Sequence, residues 1–129
     1  MAELPIMPVK TDALLADTMH MSAEEFGAYC RILFAMWRHD GRLPHDLTQL
    51  RRIAGVQPRR WPFIQDVVLR PLTIADGWVS QKRLTATMLD VREFRASRSR
   101  IALTRWRRER NDKNRTSIVQ LYPPYKPLK

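Results

Sequence analysis

The chain has 129 residues, 44% of them hydrophobic, and a net charge of +10 from 23 Lys and Arg against 13 Asp and Glu. That length holds one domain with a modest core plus some tail, and a positive excess of this size calls for a polyanionic partner, whether DNA, RNA, an anionic surface or an acidic protein. A single cysteine, Cys30, excludes an internal disulfide framework, and without a signal-peptide pattern or a run of about 18 apolar residues the chain reads as cytoplasmic, with no membrane contact.

Residues 1–11 carry Pro5 and Pro8 among apolar neighbours and read as an extended lead-in. Asp12 is expected to cap a short helical turn over residues 13–16. Ser22 is followed three residues later by Glu25, the pattern of a capping box, with Met21 and Phe26 placed as a hydrophobic staple. The helix opened there is expected to run to about Arg38. Phe26, Tyr29, Cys30, Ile32, Leu33, Phe34, Met36 and Trp37 make it apolar around most of its girth, with Glu24, Arg31 and Arg38 as a narrow polar strip. Such a helix belongs in the middle of a domain.

Asp40-Gly41 turns the chain and Arg42-Leu43-Pro44 reads as a short extended piece. Asp46 is expected to cap a second helix from Leu47 to about Ala54, with Leu47, Leu50 and Ile53 inward and Gly55 closing it. After a turn at Gly55-Val56-Gln57, Pro58 is expected to open a third helix running to about Leu69, with Pro62 still in its first turn. A β-hairpin follows: Leu72 and Ile74 lead in, Ala75-Asp76-Gly77 turns, Trp78 and Val79 lead out. Trp37, Trp61 and Trp78 are expected to share one aromatic core.

Helix, short strand, helix, helix, hairpin is the order of a winged helix-turn-helix. The expected fold is therefore mainly α with a small β-hairpin, a winged-helix domain over residues 12–94 followed by a long basic C-terminal helix. That last helix is expected from about Lys82 to Arg110. Leu84, Met88, Val91 and Phe94 form a stripe that packs on the domain, until Arg95 and Arg98 interrupt it. Residues 95–110 read as a projecting arginine-rich helix. Residues 111–129, with Tyr122-Pro123-Pro124-Tyr125-Lys126-Pro127, read as a disordered proline-containing tail.

From Arg92 to Arg115 ten basic residues face only Glu93, Glu109 and Asp112. Nine of the ten are arginine, the residue suited to bidentate phosphate contact, and Trp106 within the run can stack on a base or a sugar. A solvated helix without a partner is the plainer reading, and the lopsided charge weighs against it. Arg51-Arg52 and Arg59-Arg60 flank the helix turn, and arginines at the start of the third helix are placed to reach phosphates or guanine edges. Surface pairing with Asp46 or Asp66 is the competing reading. The candidate nucleic-acid contacts are thus Arg51, Arg52, Arg59 and Arg60 around the turn, Lys82 and Arg83 after the hairpin, and Arg95, Arg98, Arg105, Trp106, Arg107, Arg108 and Arg110 on the basic helix.

No catalytic residue, metal or cofactor is expected. Cys30 lies in an apolar stretch and reads as a core thiol. His20, His39 and His45 lack metal-ligand spacing, and four glycines leave no phosphate-cradling loop. Asp12, Asp17, Glu24 and Glu25 are better explained by capping and solvation than as a metal cluster.

The run from Asp17 through Ser22-Ala23-Glu24-Glu25-Phe26-Gly27-Ala28-Tyr29, then Trp37-Arg38, Gly41-Arg42-Leu43-Pro44, Ile53-Ala54, Pro58-Arg59-Arg60-Trp61 and Lys82-Arg83-Leu84, resembles the YdaU-like family of prophage-encoded proteins. The resemblance covers about residues 12 to 106. It implies likeness to the N-terminal winged-helix part of phage replication initiators, with origin or single-strand DNA binding and contact with a helicase or its loader. Longer members carry a further domain, so an accessory factor, a regulator or a shortened form fits this chain. The expected function is non-catalytic DNA binding linked to replication initiation or its regulation. A protein–protein adaptor, a homodimer among its forms, is the alternative, and an RNA-binding factor is third.

Overall fold

The computed structural model describes residues 4–115, and their side chains as far as Asp112. Helices α1 (Thr11–Thr18) and α2 (Ala23–Arg38) are followed by strand β1 (Arg42–Pro44), helices α3 (Leu47–Ala54) and α4 (Trp61–Leu69), strands β2 (Thr73–Ala75) and β3 (Trp78–Ser80), and helix α5 (Lys82–Arg115). The fold is mainly helical, with one small antiparallel sheet ordered β1-β3-β2. The first compact unit is Met1–Asp90, and a second begins at Val91 within α5.

Helix α2 is the centre of the first unit and packs on α3, α4 and β1. It begins as its sequence dictates: Glu25 N donates to Ser22 Oγ, and Ser22 N donates to Glu25 Oε1 at 2.7 Å, closing the capping box. Ala28, Tyr29, Ile32, Leu33, Met36 and Trp37 are buried. Phe34 is half exposed, so the girth of α2 is less fully covered than its composition suggests. Leu50 and Ala54 from α3, Trp61, Ile64, Val68 and Leu69 from α4, Leu43 and Val79 from the sheet, and Leu84 and Met88 from α5 complete the core.

Several boundaries differ from the sequence expectation. The lead-in is extended but docked: Leu4 is buried, and its carbonyl accepts from Trp37 Nε1 at 2.6 Å. Helix α1 starts at Thr11, so Asp12 lies in its first turn rather than at its cap. The third helix starts at Trp61 rather than Pro58. Proline at position 62 has no N–H for the carbonyl of residue 58, and its ring would collide with that carbonyl in a helix running through both. Residues 57–60 therefore form a separate turn, with Arg60 N and Trp61 N both donating to Gln57 O, and the link from α3 to α4 is longer than the three residues expected.

The hairpin uses a two-residue turn, Asp76-Gly77, with φ of 54° and 78°. Two successive positive φ values give the turn whose twist matches a β-ribbon, and Ala75 joins the strand. Strand β1 pairs with β3 through Leu43 opposite Val79, which makes the extended piece after α2 the third strand of this sheet. Trp78 stands out of the core, 36% exposed beneath the Arg42 guanidinium, so the shared aromatic core does not extend to it. It occupies a strand position whose neighbour Val79 takes the inward side, and alternation turns Trp78 outward.

Helix α5 continues past Arg110 to Arg115. Its apolar stripe stops one step early: Leu84 and Met88 are buried, Val91 is half-buried and Phe94 is 62% exposed. The start of α5 is pinned by Gln81, whose Oε1 accepts from Leu84 N at 2.6 Å while its Nε2 donates to Tyr29 Oη at 3.0 Å. The tail expected to be disordered lies, over residues 116–129, outside the described residues.

Candidate nucleic-acid interface

The candidate contacts fall into two groups, one around the α3–α4 turn and one on α5. Helix α3 is capped by Asp46, whose Oδ1 accepts from Thr48 N at 3.0 Å and Gln49 N at 3.3 Å. Its far end closes on Gly55 at φ 74°, a left-handed cap that bulkier residues resist. The guanidinium of Arg31 crosses from α2 to this end, donating from Nε to Ile53 O at 2.9 Å. Arg51 Nη1 donates to Val56 O at 2.8 Å. Arg31 thereby satisfies a carbonyl that the helix C-terminus leaves free, Arg51 ties down the loop just beyond it, and both place positive charge at the negative end of the helix dipole.

Arg60 is held as well. Its Nη2 lies 2.7 Å from Glu24 Oε1 and its Nε donates to Oε2 at 3.3 Å, a two-pronged pair with the first turn of α2. This hydrogen bond holds the Glu24 carboxyl below its ordinary value and raises Arg60 further above its own. Neither Asp46 nor Asp66 makes an ion pair with these arginines. Arg59 and Arg60 lie in the turn before α4 rather than in its first turn. Arg52 and Arg59 remain exposed, without an ion pair among the described residues. Lys82 is exposed too. Arg83 pairs with Asp17 of α1 and so ties the start of α5 to α1. Part of the arginine complement of the turn is thus engaged within the fold, and Arg52 and Arg59 make no ion pair there.

The second group needs no such subtraction. Arg98, Arg100, Arg105, Arg107, Arg108 and Arg110 are exposed on α5 and make no ion pair among the described residues. Arg95 is exposed beside them. At about 100° per residue, Arg98 and Arg105 share one side, Arg100 and Arg107 lie nearly opposite, and Arg108 and Arg110 occupy the two sides between. Trp106 is 53% exposed with the Arg110 guanidinium 4.5 Å from its ring centre. Sequence reasoning missed Phe94, whose ring lies 5.7 Å from the Arg98 guanidinium. The i, i+4 spacing of each aromatic and its arginine was the available signal. It also missed the Arg42–Trp78 stack, at 3.8 Å, which joins two strands and carries no local signature.

Burial pushes the Cys30 thiol up, away from the reactive thiolate. Among the described residues, no group of three or more His, Cys, Asp or Glu side chains comes together to hold a metal ion. No described helix is long and apolar enough to cross a membrane.

Comparison with known proteins gives a family. Residues 5–88 match a family model described as "Protein of unknown function (DUF1376)". A relative from Escherichia coli (strain K12), described as "Uncharacterized protein YdaU", is 40% identical over 65 residues. The aligned stretch is 50% of this chain and spans 22% of that relative's length. No solved structure matches the chain. The family match covers the whole of α1 to β3 and the buried start of α5, and the chain belongs to this YdaU-like family.

Proposed function

We propose that the chain is a non-catalytic DNA-binding protein of winged-helix type that holds its ligand chiefly through α5. The observation that carries the reading is that Arg98, Arg100, Arg105, Arg107, Arg108 and Arg110, exposed and without an ion pair among the described residues, are distributed around α5. A helix charged on every side suits phosphates that approach from more than one direction, as from the two walls of a duplex groove or from a strand passing around it. The winged-helix part of the reading draws support from the order α2, β1, α3, α4, β2, β3 and from the sheet order β1-β3-β2, in which β1 backs the hairpin. The link to replication initiation rests on the family resemblance alone.

Helix α4 is poorly equipped to read base edges. Its exposed side chains include Phe63, Asp66 and Pro62, and the arginine nearest its start is paired with Glu24. Binding of low sequence specificity, dominated by phosphate contacts, follows from that composition. Phe63, 74% exposed, also favours a second reading in which the first unit docks a protein while α5 holds the nucleic acid.

The test is equilibrium binding of the full chain to a labelled oligonucleotide over a salt series. Released counterions make affinity fall linearly on logarithmic axes, with a slope of about −0.7 to −0.9 per phosphate contacted. A steep fall is expected. Failure to bind at physiological salt would remove nucleic acid as the main partner.

A further inference from the structure

We infer that α5 takes a single-stranded polynucleotide, with unpaired bases stacked on Phe94 and Trp106. The inference rests on the nucleic-acid reading above and names the form of its ligand.

Phosphate contact alone asks only for arginine. Helix α5 carries more than that. Phe94 and Trp106 are 62% and 53% exposed, in a stretch otherwise rich in arginine, serine and threonine. Each has an arginine four residues later set over its ring, at 5.7 Å for Arg98 on Phe94 and 4.5 Å for Arg110 on Trp106. Such a pair holds an aromatic ring and a guanidinium within a few ångströms of each other. A nucleotide presents the matching set, a base face and a phosphate.

A duplex does not present it. Its base faces are stacked on one another, and its grooves expose only edges. An unpaired strand exposes a face at every base and a charge at every phosphate, which matches a helix with both features repeated along its length. Beside Phe94 a shallow groove runs along one side of α5, lined by Ser97, Arg100, Ile101, Thr104, Arg105 and Arg108, and at about 100° per residue Trp106 lies on the other side, so a strand that meets both rings passes around the helix. The groove combines the apolar side chain of Ile101, the hydroxyls of Ser97 and Thr104, and the guanidinium groups of Arg100, Arg105 and Arg108. The twelve steps from Phe94 to Trp106 span about 18 Å of helix axis, room for a segment of several nucleotides. A second copy of α5 is a poor occupant of this groove, because ten basic residues against three acidic ones would repel their own image.

The experiment uses the full chain, with F94A, W106A and W106F, against four probes of equal length: oligo-dT, oligo-U, a strand of abasic sites and a duplex. Stacking on an aromatic is worth about 1–3 kcal/mol per base. Each alanine variant should therefore bind oligo-dT about tenfold or more weakly, and W106F should recover most of the loss. Binding to the abasic strand and to the duplex should be weaker than to oligo-dT and unchanged by the substitutions. The tighter of oligo-dT and oligo-U identifies the sugar. Equal affinity for oligo-dT and the abasic strand, or equal loss on all probes, would overturn the inference while leaving phosphate binding in place. Absence of binding to every probe would remove the nucleic-acid reading itself.

Discussion

Gln81 is the residue on which the junction between sheet, α2 and α5 turns, and its removal gives a worked prediction. In Gln81→Ala the N–H of Leu84, in the first turn of α5, loses its acceptor at 2.6 Å. A lost helix cap costs about 1 kcal/mol. The Tyr29 hydroxyl loses its donor at 3.0 Å in a side chain with 0% exposure, where water cannot replace it. An orphaned buried polar group costs about 1–3 kcal/mol. The total, about 2–4 kcal/mol, corresponds to a fall in Tm on the order of 15 °C for a unit of this size. Tyr29→Phe alone should cost less, through the unpaired amide of Gln81. In the double variant both partners of the lost bond are gone, so adding Tyr29→Phe to Gln81→Ala should cost little. Urea denaturation of the four proteins measures the coupling, expected at about 1 kcal/mol or more. Additive effects would mean that the Gln81–Tyr29 bond does not hold this junction together.

Other consequences can be checked as directly. Glu24 has a depressed carboxyl value chiefly because Arg60 donates to it, so the pair is present above the ordinary glutamate range and breaks as pH falls through the lowered folded value. A carboxyl NMR titration should place Glu24 below a free glutamate, and Arg60→Ala should return it upward; a wild-type midpoint at the ordinary value would refute the pairing. Gly55→Ala should destabilise the protein by about 1–2 kcal/mol from its left-handed φ, and by more if Arg31 must yield, since a Cβ there would lie 3.2 Å from the Arg31 guanidinium carbon. Thermal melts with and without Arg31→Ala separate these contributions: strain alone leaves the cost unchanged in the second background.

What the sequence made legible was local. The capping box at Ser22, the Asp46 cap, the Gly55 stop and the Asp-Gly turn are each written in residues a few positions apart, and each appears where expected. The features it hid are of two kinds. One is competition between neighbours: Pro58 alone marks a helix start, but Pro62 four residues on forbids it. The other is long-range pairing. Arg60 meets Glu24 across 36 residues and Arg83 meets Asp17 across 66, so two arginines that read as candidate contacts are also ion-paired within the first unit. Nothing in the local pattern separates these from Arg52 and Arg59. The exposure of the α5 arginines was legible because they outnumber the acidic residues near them in sequence, and a helix brings only its close neighbours alongside.

The central claim is that α5, rather than the α3–α4 turn, supplies the grip on nucleic acid. Replacing Arg105, Arg107, Arg108 and Arg110 with alanine in one variant, and Arg52 and Arg59 in another, puts it to the test in oligonucleotide binding across a salt series. The account predicts that the first variant loses most of its affinity and that its salt slope falls by about 3, following the value of roughly 0.7–0.9 per phosphate contact, while the second stays close to the unaltered chain. An unaltered slope in the first variant, or the larger loss in the second, would contradict it.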